Sequence, residues 1–295
     1  MPPDRIPRRA ILAAGAAAVV AAAGAGGYEL VESGTLPGKY KLAQLDGACG
    51  APPPPRGPLP AARETTFRSA YRHTDVTMVT LLPAGAPALP VPGVVVALHG
   101  LGEDARSAAA LMAPAMAAAG TRLAVVTVDG GRTYWHRRAD GDDPVGMIVH
   151  EVLPRLAGQG LPAGLLTVAG WSMGGYGALL LAGRLPVRPA GVAVLAPAIY
   201  ASYADARQAD RRSFDGPADF AGNDVFSRIS ALRQVPCYVV CGDNDPFERM
   251  DAALRADLAR QDGHAPAGGI TGGCHDNAFW ARHLPGALAF LGARY

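Results

Sequence analysis

The stretch LLTVAGWSMGGYGALLL, residues 165–181, decides how this chain is read. Leu165 to Ala169 is a short apolar run without alternation, suited to a strand buried on both faces. Gly170, Trp171, Ser172, Met173 and Gly174 follow at once, and Gly175 to Leu181 opens a helical run. A G-x-S-x-G segment set between a strand and a helix is the pattern of a nucleophile elbow, where a sharp turn pushes a serine hydroxyl out of the sheet. The turn strains the serine backbone, so the side chains two before and two after must be tiny, as Gly170 and Gly174 are. The bland alternative is a glycine-rich turn with a capping serine. The strand before, the helix after and the further Gly175 favour the elbow.

Working outward, the same grammar repeats. Val94 to Leu98, Leu123 to Val128, Gly191 to Leu195 and Cys237 to Cys241 are short apolar runs, and Val76 to Leu82 alternates well enough for an antiparallel strand. Between them lie helix-like segments at Ala105 to Ala119, Val145 to Leu156, Gly174 to Arg184 and Met250 to Arg260. Alternating strand and helix predicts an α/β chain with a mostly parallel central sheet and helices on both faces. Reactive groups of such sheets gather at the carboxyl ends of the strands.

A serine hydroxyl needs a base, commonly a histidine held by a carboxylate, and in a strand-elbow-helix setting the partners follow as serine, acid, histidine. Downstream of Ser172 the histidines are His264, His283 and His275. His264 falls on a polar loop and His283 inside an amphipathic helix, which suits solvated or capping roles. His275, in the turn-rich GGCHDN of residues 272–277 ahead of the last helix, is the expected base. CGDNDPF at 241–247 supplies two candidate acids: Asp245, three positions after Gly242, is preferred, and Asp243 is the alternative, with a turn-capping role otherwise. Two backbone N–H groups must receive the oxyanion, and Met173 and Leu101, the latter in the His99-Gly-Leu-Gly102 segment, are the candidates. His99 is expected to shape that loop and not to act as a base.

Asp129 to His136 follows a strand, so Tyr134 and Trp135 are candidate substrate-lining groups, with loop packing as an equal alternative. The acidic run Asp140-Gly-Asp-Asp143 lacks the further ligands of a calcium loop, and capping by Asp143 before Pro144 accounts for it better.

Hydrophobic residues are 49% and charged residues 18% of the 295, enough apolar content for a globular core. Arg5, Arg8 and Arg9 precede an uncharged run from Ala10 to Gly27, which reads as an export signal or an N-terminal anchor; the adjacent Arg8 and Arg9 fit the twin-arginine route. The expected product is secreted or extracytoplasmic, with membrane association only through this leader. Residues 28–62 are Pro/Gly-rich, a linker or surface wrap, and 63–295 form the catalytic domain. Without the leader, 24 basic residues face 24 acidic ones, and no basic stripe invites a nucleic acid. Cys237 and Cys241 share a strand and are too far apart to pair, whereas Cys49 has Cys274 or a strand cysteine to bond with.

The segments His99 to Gly102, Met147 to Pro154, Gly170 to Gly177 and Gly242 to Asp245, with His275, resemble the Putative esterase group of α/β-hydrolases. That group includes esterase D, S-formylglutathione hydrolases, feruloyl esterases and the secreted mycolyltransferases, and the resemblance runs from about Gly93 to Leu291. It implies the α/β-hydrolase fold and acyl transfer from a small-molecule or lipid ester to water, or to a sugar or lipid alcohol, with no metal or organic cofactor. Mycolyltransferases carry a glutamate as the acid where this chain offers aspartates, which favours ester hydrolysis. A noncatalytic scaffold is the remaining alternative.

Overall fold

The structure, a computed structural model, describes residues 39–85 and 90–295. The leader reading lies outside the described residues. The chain falls into two units, Met1–Ala48 and Cys49–Tyr295. Of the first, the described part is a short helix, α1 (Lys39–Leu45), and the turn after it.

The second unit is built on one eight-stranded sheet in the order β1-β2-β4-β3-β5-β6-β7-β8. β1 (Ala61–Arg68) and β2 (Asp75–Leu82) form an antiparallel pair, and β2 runs antiparallel to β4 (Ala124–Val128). From β4 onward all neighbours are parallel: β3 (Val94–Leu98), β5 (Leu166–Trp171), β6 (Gly191–Leu195), β7 (Cys237–Asn244) and β8 (Ala267–Cys274). This is the α/β-hydrolase arrangement expected from the sequence.

The central strands lack alternation because each face meets its own core. Val94, Val96 and Leu98 point into one, with Val168, Val192 and Val194. Val95 and Ala97 point into the other, with Ala169, Ala193 and Leu195. The first core is closed by α3 (Pro144–Met147), α4 (Leu153–Gly158), α5 (Met173–Ala182) and α8 (Glu248–Asp262); the second by α2 (Ala105–Ala119) and α9 (Asn277–Gly292). The helix expected over Val145 to Leu156 is broken by a π turn, Ile148–Val152, in which the Leu153 amide reaches back to the Ile148 carbonyl. Pro154 explains the widening: its ring would strike the carbonyl four residues back in a regular helix. Asp143 caps α3 through the Gly146 amide at 2.8 Å, and Asp142 is paired with Arg72, so the acidic run is structural.

Two strands departed from expectation. β1 is an exposed, charge-bearing edge with little apolar content, and its first two residues belonged to the expected wrap. β8 contains four glycines, and the first three residues of the expected His275 loop are its end. Between β6 and β7, α6 (Tyr203–Ala209), α7 (Pro217–Gly222) and a 3-10 turn, Phe226–Leu232, complete the unit.

Candidate active site

Ser172 stands between the end of β5 and the start of α5 with φ 53° and ψ −125°. Such a conformation costs on the order of 1–3 kcal/mol and must be held by its surroundings. The Ser172 amide donates to the Leu195 carbonyl at 3.0 Å, and its own carbonyl accepts from the Ala198 amide at 2.9 Å, so the end of β6 clamps the turn. A Cβ on Gly170 would land on the Gly174 carbonyl, and one on Gly174 on the Leu98 carbonyl. The glycines are therefore required by backbone contact. Although Ser172 occupies the cap position of α5, its hydroxyl makes no capping bond.

That hydroxyl lies 2.8 Å from Nε2 of His275, whose Nδ1 is 2.7 Å from Oδ2 of Asp245. With a carboxylate on Nδ1 the proton sits there, leaving Nε2 to accept the serine O–H. Asp245 is fully buried, and its second oxygen accepts the Phe247 amide at 2.8 Å. Asp243 does something else. The register between β7 and β8 shifts between Gly242 and Asn244, giving β8 an extra residue, and Asp243 Oδ1 accepts the Gly273 amide at 3.1 Å within that bulge. The bulge re-aims the strand ends so that Asp245 and His275 meet. Cys274, one residue before the histidine, is disulfide-bonded to Cys49, and the Arg282 guanidinium donates to the Cys49 carbonyl at 2.8 Å. Cys237 and Cys241 are free and buried.

Met173 contributes the first amide of α5, one of the N–H groups a helix cannot satisfy internally. Leu101 stands in the turn after β3, whose shape is fixed on several sides. His99 is buried; its Nε2 accepts the Gly130 amide at 2.9 Å, so its proton is on Nδ1, facing the Gly100 carbonyl at 2.8 Å. Burial keeps this imidazole's pKa below its ordinary value, consistent with a neutral structural group.

Tyr134 and Trp135 do not line a cleft. They are 2% and 0% exposed and belong to the core, with φ of 52° and 55° that turn both side chains inward. Trp135 Nε1 donates to the His99 carbonyl at 3.2 Å and its ring covers Gly130 and Gly177, so it braces the loop carrying Leu101. The Tyr134 hydroxyl meets that of Tyr200 at 2.6 Å. The half-buried aromatics near the histidine are Tyr200 and Phe247, ring centroids 5.3 Å apart, with Phe247 5.2 Å from the His275 ring. Sequence reasoning missed both; Phe247, directly after the Asp245-Pro246 turn, carried a positional hint. His264 is exposed and bonded to its own turn, and His283 packs on Phe279 in α9.

Near Asp245 lies a second buried aspartate. Asp251, in α8, is 0% exposed; among the described residues no nitrogen or oxygen donor is bonded to its carboxyl group, and the Cys241 thiol and the Asp245 carboxylate are its neighbours. Burial, reinforced by the Asp245 and Glu248 charges, holds its carboxyl well above the usual carboxylate range. The folded chain thus keeps a proton that the unfolded chain releases above about pH 4, so stability falls as pH rises from there through the folded-state value and stays lost beyond it. Asp251→Asn should melt roughly 3–10 °C above wild type at pH 8, with the gain shrinking toward pH 4. Melting curves across that range check this; a gain independent of pH would refute it.

A family model described as Putative esterase matches residues 69–291. No curated protein matches the chain in sequence. Among solved structures, the chain is similar to FphF, a fluorophosphonate-binding serine hydrolase of Staphylococcus aureus, with a TM-score of 0.64 and 19% identity over 80% of this chain and 99% of that one. It is similar to an S-formylglutathione hydrolase from Agrobacterium tumefaciens, with a TM-score of 0.65 and 16% identity over 79% and 95%. MPT51 (FbpC1) of Mycobacterium tuberculosis gives a TM-score of 0.66 and 18% identity over 79% and 98%. At these identities the likeness speaks for the fold.

Proposed function

Because the chain belongs to the Putative esterase family, we propose that it is an exported serine esterase that hydrolyses carboxylic esters through an acyl-enzyme on Ser172. The observation that carries the reading is the unbroken line of hydrogen bonds from Ser172 Oγ through His275 to Asp245, at 2.8 and 2.7 Å. As Ser172 Oγ attacks the ester carbonyl, its proton passes to His275 Nε2, and the buried Asp245 carboxylate stabilises the imidazolium without taking the proton. The oxygen that becomes negative is received by the Leu101 and Met173 amides. Collapse expels the alcohol, protonated by His275, and leaves the acyl group on Ser172. A water activated by the same imidazole then releases the acid.

Fluorophosphonate labelling of the purified protein and a chain-length panel of p-nitrophenyl esters test this. The expected result is stoichiometric labelling and turnover of esters; absence of both would overturn the reading. Repeating the panel with a sugar or lipid alcohol separates the outcomes, since an acyltransferase passes the acyl group to the alcohol.

Export is the second part of the proposal. Arg8 and Arg9 ahead of the apolar run support the twin-arginine route, and the Cys49–Cys274 disulfide suits an oxidising compartment. Among the described residues no helix is long and apolar enough to cross a membrane. Replacing both arginines by lysine should retain the protein in the cytoplasm, read by immunoblotting of cell fractions. Undiminished export of the double-lysine variant would assign the general secretory route instead.

A further inference from the structure

Glu103 is a half-buried carboxylate that the mechanism above does not use. It lies two residues after Leu101 in the turn that follows β3. A single oxygen, Oε2, accepts two hydrogen bonds of 2.8 Å each, from the Gly100 amide and from the indole Nε1 of Trp171. Gly100 precedes Leu101, and Trp171 precedes Ser172 and Met173. One carboxylate oxygen therefore ties the loop bearing one oxyanion amide to the elbow bearing the other.

Glu103 is itself held firmly. Its amide donates to the Gly100 carbonyl at 3.3 Å while its side chain accepts from the Gly100 amide, which closes the turn from both directions. The next residue, Asp104, caps α2 in a reciprocal box with Ser107, and the following amide, Ala105, donates to Asp129 Oδ1 at 2.7 Å. A Cβ on Gly100 would sit 3.3 Å from both Glu103 Oε2 and the Trp171 ring, so this position is tight around the bridge. No salt bridge to Glu103 occurs among the described residues, and the carboxylate of Asp104 stands beside it on its own turn. Arg132, whose guanidinium lies near Gly102, is engaged with Asp210 at 3.3 Å.

We propose that Glu103 is a positioning residue that sets the spacing of the two oxyanion donors, Leu101 and Met173, by bridging Gly100 and Trp171. The inference rests on the serine-esterase reading. Burial raises the pKa of this carboxyl above its ordinary value, and protonation at the unbonded oxygen leaves both bonds to Oε2 intact. Positioning and charge are therefore separable by substitution. Glu103→Gln keeps an acceptor oxygen and loses the charge, whereas Glu103→Ala loses both.

The test measures the second-order rate of fluorophosphonate labelling at Ser172, kcat and KM for one p-nitrophenyl ester, and the indole N–H resonances of the three tryptophans. Misplacing a reacting group by about 1 Å costs up to about 10²-fold, so Glu103→Ala should label and turn over 10- to 100-fold more slowly with KM within about threefold. One indole resonance, that of Trp171, should move. Glu103→Gln should recover kcat to within about threefold, because the amide oxygen still accepts from the Gly100 amide and the Trp171 indole. Wild-type labelling and turnover in folded Glu103→Ala, or a glutamine variant as slow as the alanine one, would overturn the positioning role. If the alanine variant does not fold, Trp171→Phe, which removes one of the two bridged donors, must slow labelling at least threefold, and an unchanged rate overturns the role equally. Failure of the wild-type protein to label would instead count against the esterase reading.

Discussion

Ser172→Ala should remove ester hydrolysis by roughly 10⁶-fold while leaving the fold intact, the loss seen when a triad nucleophile is deleted. The size follows from the structure. His275 Nε2 has one bonded partner, Ser172 Oγ, and no other hydroxyl or thiol is bonded to that nitrogen among the described residues. The residual rate would come from water and the oxyanion amides alone. Stability should be little changed, since the Ser172 hydroxyl caps nothing and the backbone clamp from Leu195 and Ala198 survives the substitution. Initial-rate assays and a melting curve on the purified variant check both halves. Retention of more than a tenth of the activity would move the nucleophile elsewhere.

Asp245→Asn should lower turnover by about 10⁴-fold with substrate binding nearly unaffected, because an amide in place of the carboxylate favours the wrong imidazole tautomer and leaves the imidazolium unsupported. Its neighbour two residues earlier should behave differently. Asp243 accepts the Gly273 amide in the bulge, while the carboxylate bonded to the histidine ring is that of Asp245, so Asp243→Asn keeps an acceptor oxygen and should remain active, losing at most about 1–2 kcal/mol of stability. Turnover and melting temperature measured on both variants decide between the two aspartates. The reverse pattern would transfer the acid role to Asp243 while leaving Ser172 and His275 in place.

Much of this site was legible because local constraints are written in residue type. Gly170 and Gly174 are glycines because backbone passes where a Cβ would be, and the order serine, aspartate, histidine follows from the crossover path of a parallel sheet. β8 was not legible. Its glycines erase the apolar pattern by which a strand is recognised, yet Gly268 and Gly273, at φ 85° and 149°, are where β8 packs on the Val239 backbone and on Phe279. β1 escaped because an exposed edge strand buries too little to leave a period. Tyr134 and Trp135 were placed correctly on the loop after β4, but their left-handed backbone aims both rings into the core, and a loop has no periodicity from which that direction follows. The chain offered one unread hint of the bridge to Trp171, an acidic residue directly after the glycines of the β3 turn.

The Cys49–Cys274 bond has a topological consequence. With its ends 225 positions apart in the sequence, it closes the whole eight-stranded sheet, Ser172 and Asp245 included, into one covalent ring, which ends one residue before His275. Closing so long a loop restricts the unfolded chain by about 5 kcal/mol in the entropic account. A ring can also be cut once without falling apart. A protease that severs the exposed turn at Asp140 produces two polypeptides still joined through sulfur, travelling as a single band in a non-reducing gel and as two after reduction.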